Sequence, residues 1–83
     1  MIKIFGKPNC SFCLKAKNIA EMHHLPYQYY SIDDNDVKKQ LFDLLPDVKT
    51  VPQIWWSGRY IGGYDQFAQE IENTVGNYGH GKL

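Results

Sequence analysis

The stretch Ile2-Lys3-Ile4-Phe5-Gly6-Lys7-Pro8-Asn9-Cys10-Ser11-Phe12-Cys13 joins a strand signal to a helix signal through two cysteines. Ile2 to Phe5 is β-branched and aromatic, stops at Gly6, and predicts a short buried strand. Lys7-Pro8-Asn9 reads as a loop. From Ser11 onward the pattern turns helical: Ala16, Ile19, Ala20 and His23 fall at i, i+3, i+4 and i+7 and share one face. Pro26 is expected to close that helix, because the residue before a proline resists helical geometry. Cys10 therefore sits where a loop turns into a helix, and Cys13 lies one turn further on the same face.

Working outward, Tyr27 to Ile32 is a second aromatic and β-branched strand. Asp33-Asp34-Asn35-Asp36 offers N-caps and suits the positive end of a helix. Val37, Leu41, Leu44 and Leu45 then repeat at helical spacing until Pro46. Gln53 to Trp56 predicts a third strand, Ser57-Gly58 a turn, and Tyr60-Ile61 a fourth strand in hairpin pairing. Gly62-Gly63 ends it, Asp65 can cap, and Phe67, Ile71 and Val75 mark a last helix. The order β-α-β-α-β-β-α places the chain in the α/β class. Its first two strands should be parallel with a right-handed crossover, and its last two antiparallel. A four-stranded mixed sheet flanked by helices on both faces buries all three helical stripes. Residues 1–75 are expected to form one domain, with 76–83 a flexible, glycine-rich C-terminal tail.

At 83 residues the chain is near the lower end of what folds on a single core, but an apolar fraction of 43% is enough to build one. Nine basic and nine acidic residues, with no run of either sign, leave no source of long-range attraction to nucleic acid or an anionic membrane. Met1 to Phe5 is too short for a signal-peptide core, and no apolar stretch approaches the roughly 18 residues of a transmembrane helix. A cytoplasmic location is expected, that of the host if the chain is phage-encoded. In a reducing compartment two cysteines spaced by two residues point to catalysis or metal binding rather than to a structural staple. A disulfide across so small a loop also constrains the unfolded chain little.

Disulfide exchange needs a thiolate. At Cys10 the unpaired N–H groups and the positive end of the helix dipole converge, and Lys7 adds a positive charge within reach. Cys13 faces inward without that stabilisation. Cys10 is thus the attacking nucleophile and Cys13 the resolving thiol, passing through a mixed disulfide. Two rival readings are weaker. A merely packed pair leaves the motif's position at a strand-to-helix junction without a reason. Zinc needs four ligands, and the other candidates are His23, His24 and His80. The first two are adjacent, point to different faces, and sit roughly 15 Å along the helix from Cys13 at 1.5 Å per residue. No metal site is therefore assigned, and His23 is expected to be a packed core histidine.

With the motif placed, the sequence from Ile2 to about Val75 resembles the dithiol glutaredoxins of short bacterial and bacteriophage type, in the thioredoxin superfamily. Lys7-Pro8-Asn9-Cys10-Ser11-Phe12-Cys13 is similar to the family's active-site segment, with C-S-F-C in place of C-P-Y-C. Thr50-Val51-Pro52 resembles its T-V-P loop and Gly62-Gly63-Tyr64-Asp65 its G-G-x-D segment. The resemblance implies a thioredoxin-like fold and a glutathione site. Pro52 would be cis, setting the backbone N–H and C=O of Val51 opposite the Cys10 sulfur, where a peptide could pair as an added strand. From the dipeptide alone, Pro52 also fits an ordinary trans proline opening an edge strand.

Lys7 and Lys39 would suit the glycine carboxylate of glutathione, although Lys39 also fits a solvated surface charge. The N–H groups of Asp65 and Gln66 would receive the γ-glutamyl carboxylate, and Gly62 and Gly63 would let the backbone approach closely. Gln66 stands where many members carry a second acid, so the glutamyl ammonium falls to Asp65. Phe12 lacks the usual tyrosine hydroxyl and leaves an apolar wall. The function implied is a glutathione-dependent thiol–disulfide oxidoreductase, monomeric and without a tightly bound cofactor. Glutathione is its co-substrate, and it donates hydrogen to disulfide proteins such as ribonucleotide reductase. The alternatives are a redoxin recharged by thioredoxin reductase and a glutathione-assisted [2Fe–2S] carrier.

Overall fold

The computed structural model describes residues 1–76. Its elements are β1 (Ile2–Gly6), α1 (Ser11–Met22), β2 (Tyr27–Ser31), α2 (Asn35–Leu44), β3 (Gln53–Trp56), β4 (Arg59–Gly62) and α3 (Tyr64–Ile71), followed by one wide turn over Glu72–Gly76. Of the tail expected over 76–83, residues 77–83, His80 among them, lie outside the described residues, as does the side chain of Val75. The sheet order is β2-β1-β3-β4. β1 pairs parallel with β2 and antiparallel with β3, and β3 pairs antiparallel with β4. This is the mixed four-stranded sheet that the element order implies.

Period-two alternation decides what β1 buries. Ile2 and Ile4 turn to one face and join Ile54 of β3, Ala16 and Ala20 of α1, and Phe67 and Ile71 of α3 in a single buried cluster. Small residues on α1 let it lie close to the strands and to α3. Phe5 turns to the opposite face, stacked on Tyr30 and set edge-on to Trp55, which in turn meets Tyr60. Lys3, on that same face, is exposed. α2 stays outside the α1–α3 cluster and leans on β2, burying Leu41 while Leu44 remains exposed.

Helix ends follow local chemistry. Asp34 caps α2, its Oδ1 accepting from the N–H groups of Asp36 and Val37 at 2.8 and 3.3 Å. α1 stops earlier than Pro26 predicts. His24 takes a left-handed conformation (φ 56°), and the N–H groups of His24 and Leu25 fold back onto the carbonyls of Glu21 and Ala20. That is a Schellman closure, complete before the proline is reached. His23 consequently ends as the exposed C-cap rather than as a packed core residue. At the hairpin, Ser57 and Gly58 both have positive φ (52° and 84°), as a two-residue primed turn requires.

Phe67 is fully buried and meets Trp56 edge-to-face. Phe67→Ala should therefore cost about 3–5 kcal/mol of stability, read as a lowered midpoint in urea. A loss below about 1 kcal/mol would contradict the packing described.

Candidate active site

The site is assembled where β1 hands the chain to α1. Asn9 adopts a left-handed conformation (φ 59°), which asparagine tolerates better than most residues. The next residue, Cys10, is extended and forms the N-cap of α1. Its Sγ occupies the place usually held by a serine or aspartate oxygen and accepts the N–H of Cys13 at 3.2 Å. The carbonyl of Cys10 starts the helix by accepting from Leu14 N–H at 3.0 Å. The cysteines are joined as a disulfide with a Cα–Cα separation of 5.2 Å. Cys10 is partly exposed, whereas Cys13 is 1% exposed. One sulfur faces solvent and the other lies beneath it.

A second segment closes over the pair. The Val51–Pro52 peptide is cis, Pro52 is buried, and the Val51 carbonyl oxygen is 3.9 Å from Cys10 Sγ. Buried Gln53 ties this loop down. Its Nε2 donates to the carbonyl and hydroxyl oxygens of Thr50 at 2.9 and 3.2 Å, and its Oε1 accepts the Tyr60 hydroxyl at 2.6 Å. The loop carrying Lys7 is held from the other side, where the Tyr29 hydroxyl donates to the Lys7 carbonyl at 3.1 Å. Gly6 must lack a side chain here. A Cβ on it would lie under 3.0 Å from both the Tyr29 hydroxyl and Cys13 Sγ.

Cys10 opens on two clefts. The first, about 500 Å3, is lined by Lys7, Phe12, Lys38, Lys49, Val51 and others. The second, about 540 Å3 on the far side of the Lys7 loop, is lined by Lys7, Leu14, Lys17 and Tyr29 among others. Among the described residues the charged groups on these walls are all lysines. In a chain of zero net charge, that placement favours anionic ligands.

Of the residues expected from sequence, Lys7, Cys10, Phe12 and Val51 meet in the first cleft, with Pro52 behind Val51. Lys39 does not reach it. Its ammonium pairs with Asp43 at 3.2 Å on the exposed side of α2, and Lys38 enters the cleft instead. The signal was present: Lys38 precedes the buried Leu41 by three residues and so shares its face. Gly63, Asp65 and Gln66 cluster at the start of α3. The N-cap there is Gly63, so Asp65 lies inside the first turn rather than capping it. Gln66 Oε1 accepts the Gly63 N–H at 3.0 Å. Gly62, with φ 122°, takes a conformation suited to glycine. The Phe12 ring bridges toward this end through Tyr64, at 6.0 Å between centroids, and the Lys15 ammonium lies 5.0 Å from its centre. Lys49, Gln53 and Tyr29 carry no local signal, because only folding brings them toward the cysteines, and Lys15, two residues after Cys13, shows its role only through its contact with the Phe12 ring.

Residues 2–61 match the family model described as Glutaredoxin. Glutaredoxin 1 of Escherichia coli (strain K12) is 35% identical over 81 residues, covering 87% of this chain and 93% of the relative. The chain belongs to the glutaredoxin family. It is a thiol–disulfide oxidoreductase with Cys10 and Cys13 as its C-x-x-C pair. Among solved structures, reduced Escherichia coli glutaredoxin superposes with a TM-score of 0.75 at 33% identity, covering 90% of this chain and 96% of that one. A buckwheat glutaredoxin–glutathione complex superposes at 0.73 with 22% identity, covering 88% of this chain and 69% of that one. The thioredoxin-like fold is thus common to glutaredoxins well diverged in sequence.

Gln53→Leu, which keeps bulk and removes the amide, would release the Thr50 carbonyl and the Tyr60 hydroxyl to water. It should cost about 0.5–1.5 kcal/mol and lower disulfide reductase activity by loosening the loop that faces Cys10. Unchanged stability and turnover would show that the clamp is idle.

Proposed function

We propose that this glutaredoxin reduces glutathione mixed disulfides and protein disulfides at the expense of glutathione. The observation that carries the reading is Cys10 Sγ as an N-cap acceptor, beside an open Val51 backbone and a cleft whose charges are lysines. A thiolate at Cys10 attacks one sulfur of the target disulfide. A Cys10–S–S–R bond forms, and the other target sulfur leaves as a thiolate that takes a proton from solvent. Cys13, directly below, then attacks Cys10 Sγ, releases R–S⁻ and leaves the Cys10–Cys13 disulfide. Two molecules of glutathione return the two electrons and become oxidised glutathione.

Glutathione fits the walls. Its cysteinyl backbone can pair with Val51 as an added strand. Its glycine carboxylate would meet Lys7, Lys38 and Lys49, with Lys39 remaining on Asp43. Its γ-glutamyl carboxylate would meet the first-turn N–H groups of α3 at Asp65 and Gln66, and its ammonium the exposed Asp65 carboxylate. Phe12, 52% exposed, would flank the bound thiol as an apolar wall. The buckwheat glutaredoxin, which shares the fold, forms a glutathione complex. We assign ribonucleotide reductase as a family-typical client, with the protein acting as a cytoplasmic monomer.

The test is NADPH oxidation coupled through glutathione reductase. Cys10→Ser should abolish turnover of every disulfide. Cys13→Ser should keep reduction of a small glutathione mixed disulfide and lose reduction of protein disulfides. Turnover by the Cys10 variant, or recycling by thioredoxin reductase but not by glutathione, would overturn the proposal.

A further inference from the structure

Cys13 must act as an anion once per turnover, when it attacks the mixed disulfide on Cys10. It does so from a site 1% exposed, where burial disfavours the thiolate. Its own N–H is already directed at the other sulfur. A partner for the charge and a route for the proton must come from elsewhere.

The Tyr29 hydroxyl is placed for both. It and Cys13 Sγ both lie within 3.0 Å of the point a Gly6 Cβ would fill, so the bare glycine lets hydroxyl and sulfur share one space. From there the hydroxyl reaches the Lys7 carbonyl and borders the second cleft, which opens to water. The ring is steadied by the Lys17 ammonium, 4.8 Å from its centre. Burial raises the Tyr29 pKa above its ordinary 10, so the group stays a neutral donor. Among the described residues, the other titratable groups facing this space are Cys10, Lys7 from the loop and Lys17 from α1; β1 contributes only Gly6.

We propose that the Tyr29 hydroxyl connects the buried Cys13 thiol to solvent and stabilises its thiolate during resolution of the mixed disulfide. The thiol gives up its proton through Tyr29 Oη to water in the second cleft. The hydroxyl then swings from the Lys7 carbonyl and donates to the sulfur anion. That anion attacks Cys10 Sγ: the Cys10–Cys13 bond forms, the Cys10–S–R bond breaks, and R–S⁻ leaves with the electron pair and is protonated by solvent. Two thiol sulfurs of the protein are oxidised as the target sulfurs are reduced.

This rests on Cys13 as the resolving thiol, and the experiment separates the two claims. A small aromatic thiol whose release is coloured is loaded on Cys10, and its discharge is followed in single turnover across pH. Tyr29→Phe keeps the ring under Lys17 and removes only the hydroxyl. The variant should discharge about tenfold more slowly, with the midpoint of its pH profile raised by about one unit. In the Cys13→Ser background, where external glutathione performs the discharge, Tyr29→Phe loses only its tie to the Lys7 loop, so it should slow discharge clearly less than when Cys13 is present and leave the pH midpoint unmoved. Equal slowing in that background, with an unmoved midpoint, would reduce Tyr29 to a prop for the Lys7 loop and overturn the proposal. So would wild-type discharge by Tyr29→Phe. Spontaneous discharge by Cys13→Ser without glutathione would instead remove the resolving role of Cys13 itself.

Discussion

The Cys13 N–H points at Cys10 Sγ across 3.2 Å, and the chemistry of the molecule depends on that contact. Bringing a thiol from its ordinary pKa of about 8.5 to neutrality takes about 2 kcal/mol, at about 1.4 kcal/mol per unit. A hydrogen bond to a charged acceptor supplies about 1.5–3 kcal/mol, and a helix N-terminus adds about 0.3–1 kcal/mol. The backbone alone therefore suffices. Lys7 and the other lysines on exposed walls are screened by solvent, and their better use is in gathering anionic ligands rather than in activating the sulfur.

Much of the remaining architecture holds that geometry still. The N-terminus of α1 stays in place because Ala16 and Ala20 seat the helix against Ile2, Ile4 and Phe67. Two polar ties then fix the loops on either side of the sulfur. Tyr29 holds the Lys7 carbonyl from β2, and Gln53, braced by Tyr60, holds Thr50 next to Val51. Both ties link strand residues to loops. The sheet thus serves as the frame, and the cysteines sit beyond the C-terminal end of its central strand β1, beside the Val51 backbone.

What could be read from the residues alone was whatever depends on local pattern. The strand–loop–helix passage through Cys10 and Cys13, the Asp34 cap and the Ser57-Gly58 turn each follow from neighbours in sequence. Position across the fold was less legible. Family likeness points to Lys39, but the phase of α2 about Leu41 turns Lys38 into the cleft and pairs Lys39 with Asp43. His23 matched the apolar spacing of α1, yet the chain had already turned at His24. Pro52 resembled a cis proline only by family likeness. Tyr29 and Gln53 read as strand residues: the carbonyl Tyr29 holds is 22 residues away, and the Thr50 carbonyl that Gln53 holds is near in sequence but matters only because its loop faces Cys10 across the fold.

The central claim is that the nucleophilic sulfur is anionic at neutral pH because a helix begins at it. Titration of the reduced Cys13→Ser protein by its ultraviolet thiolate absorbance measures Cys10 alone. A midpoint below about 7 is the predicted result. A midpoint near the ordinary thiol value of about 8.5 would show that the helix end leaves this sulfur unactivated, and the account would fail.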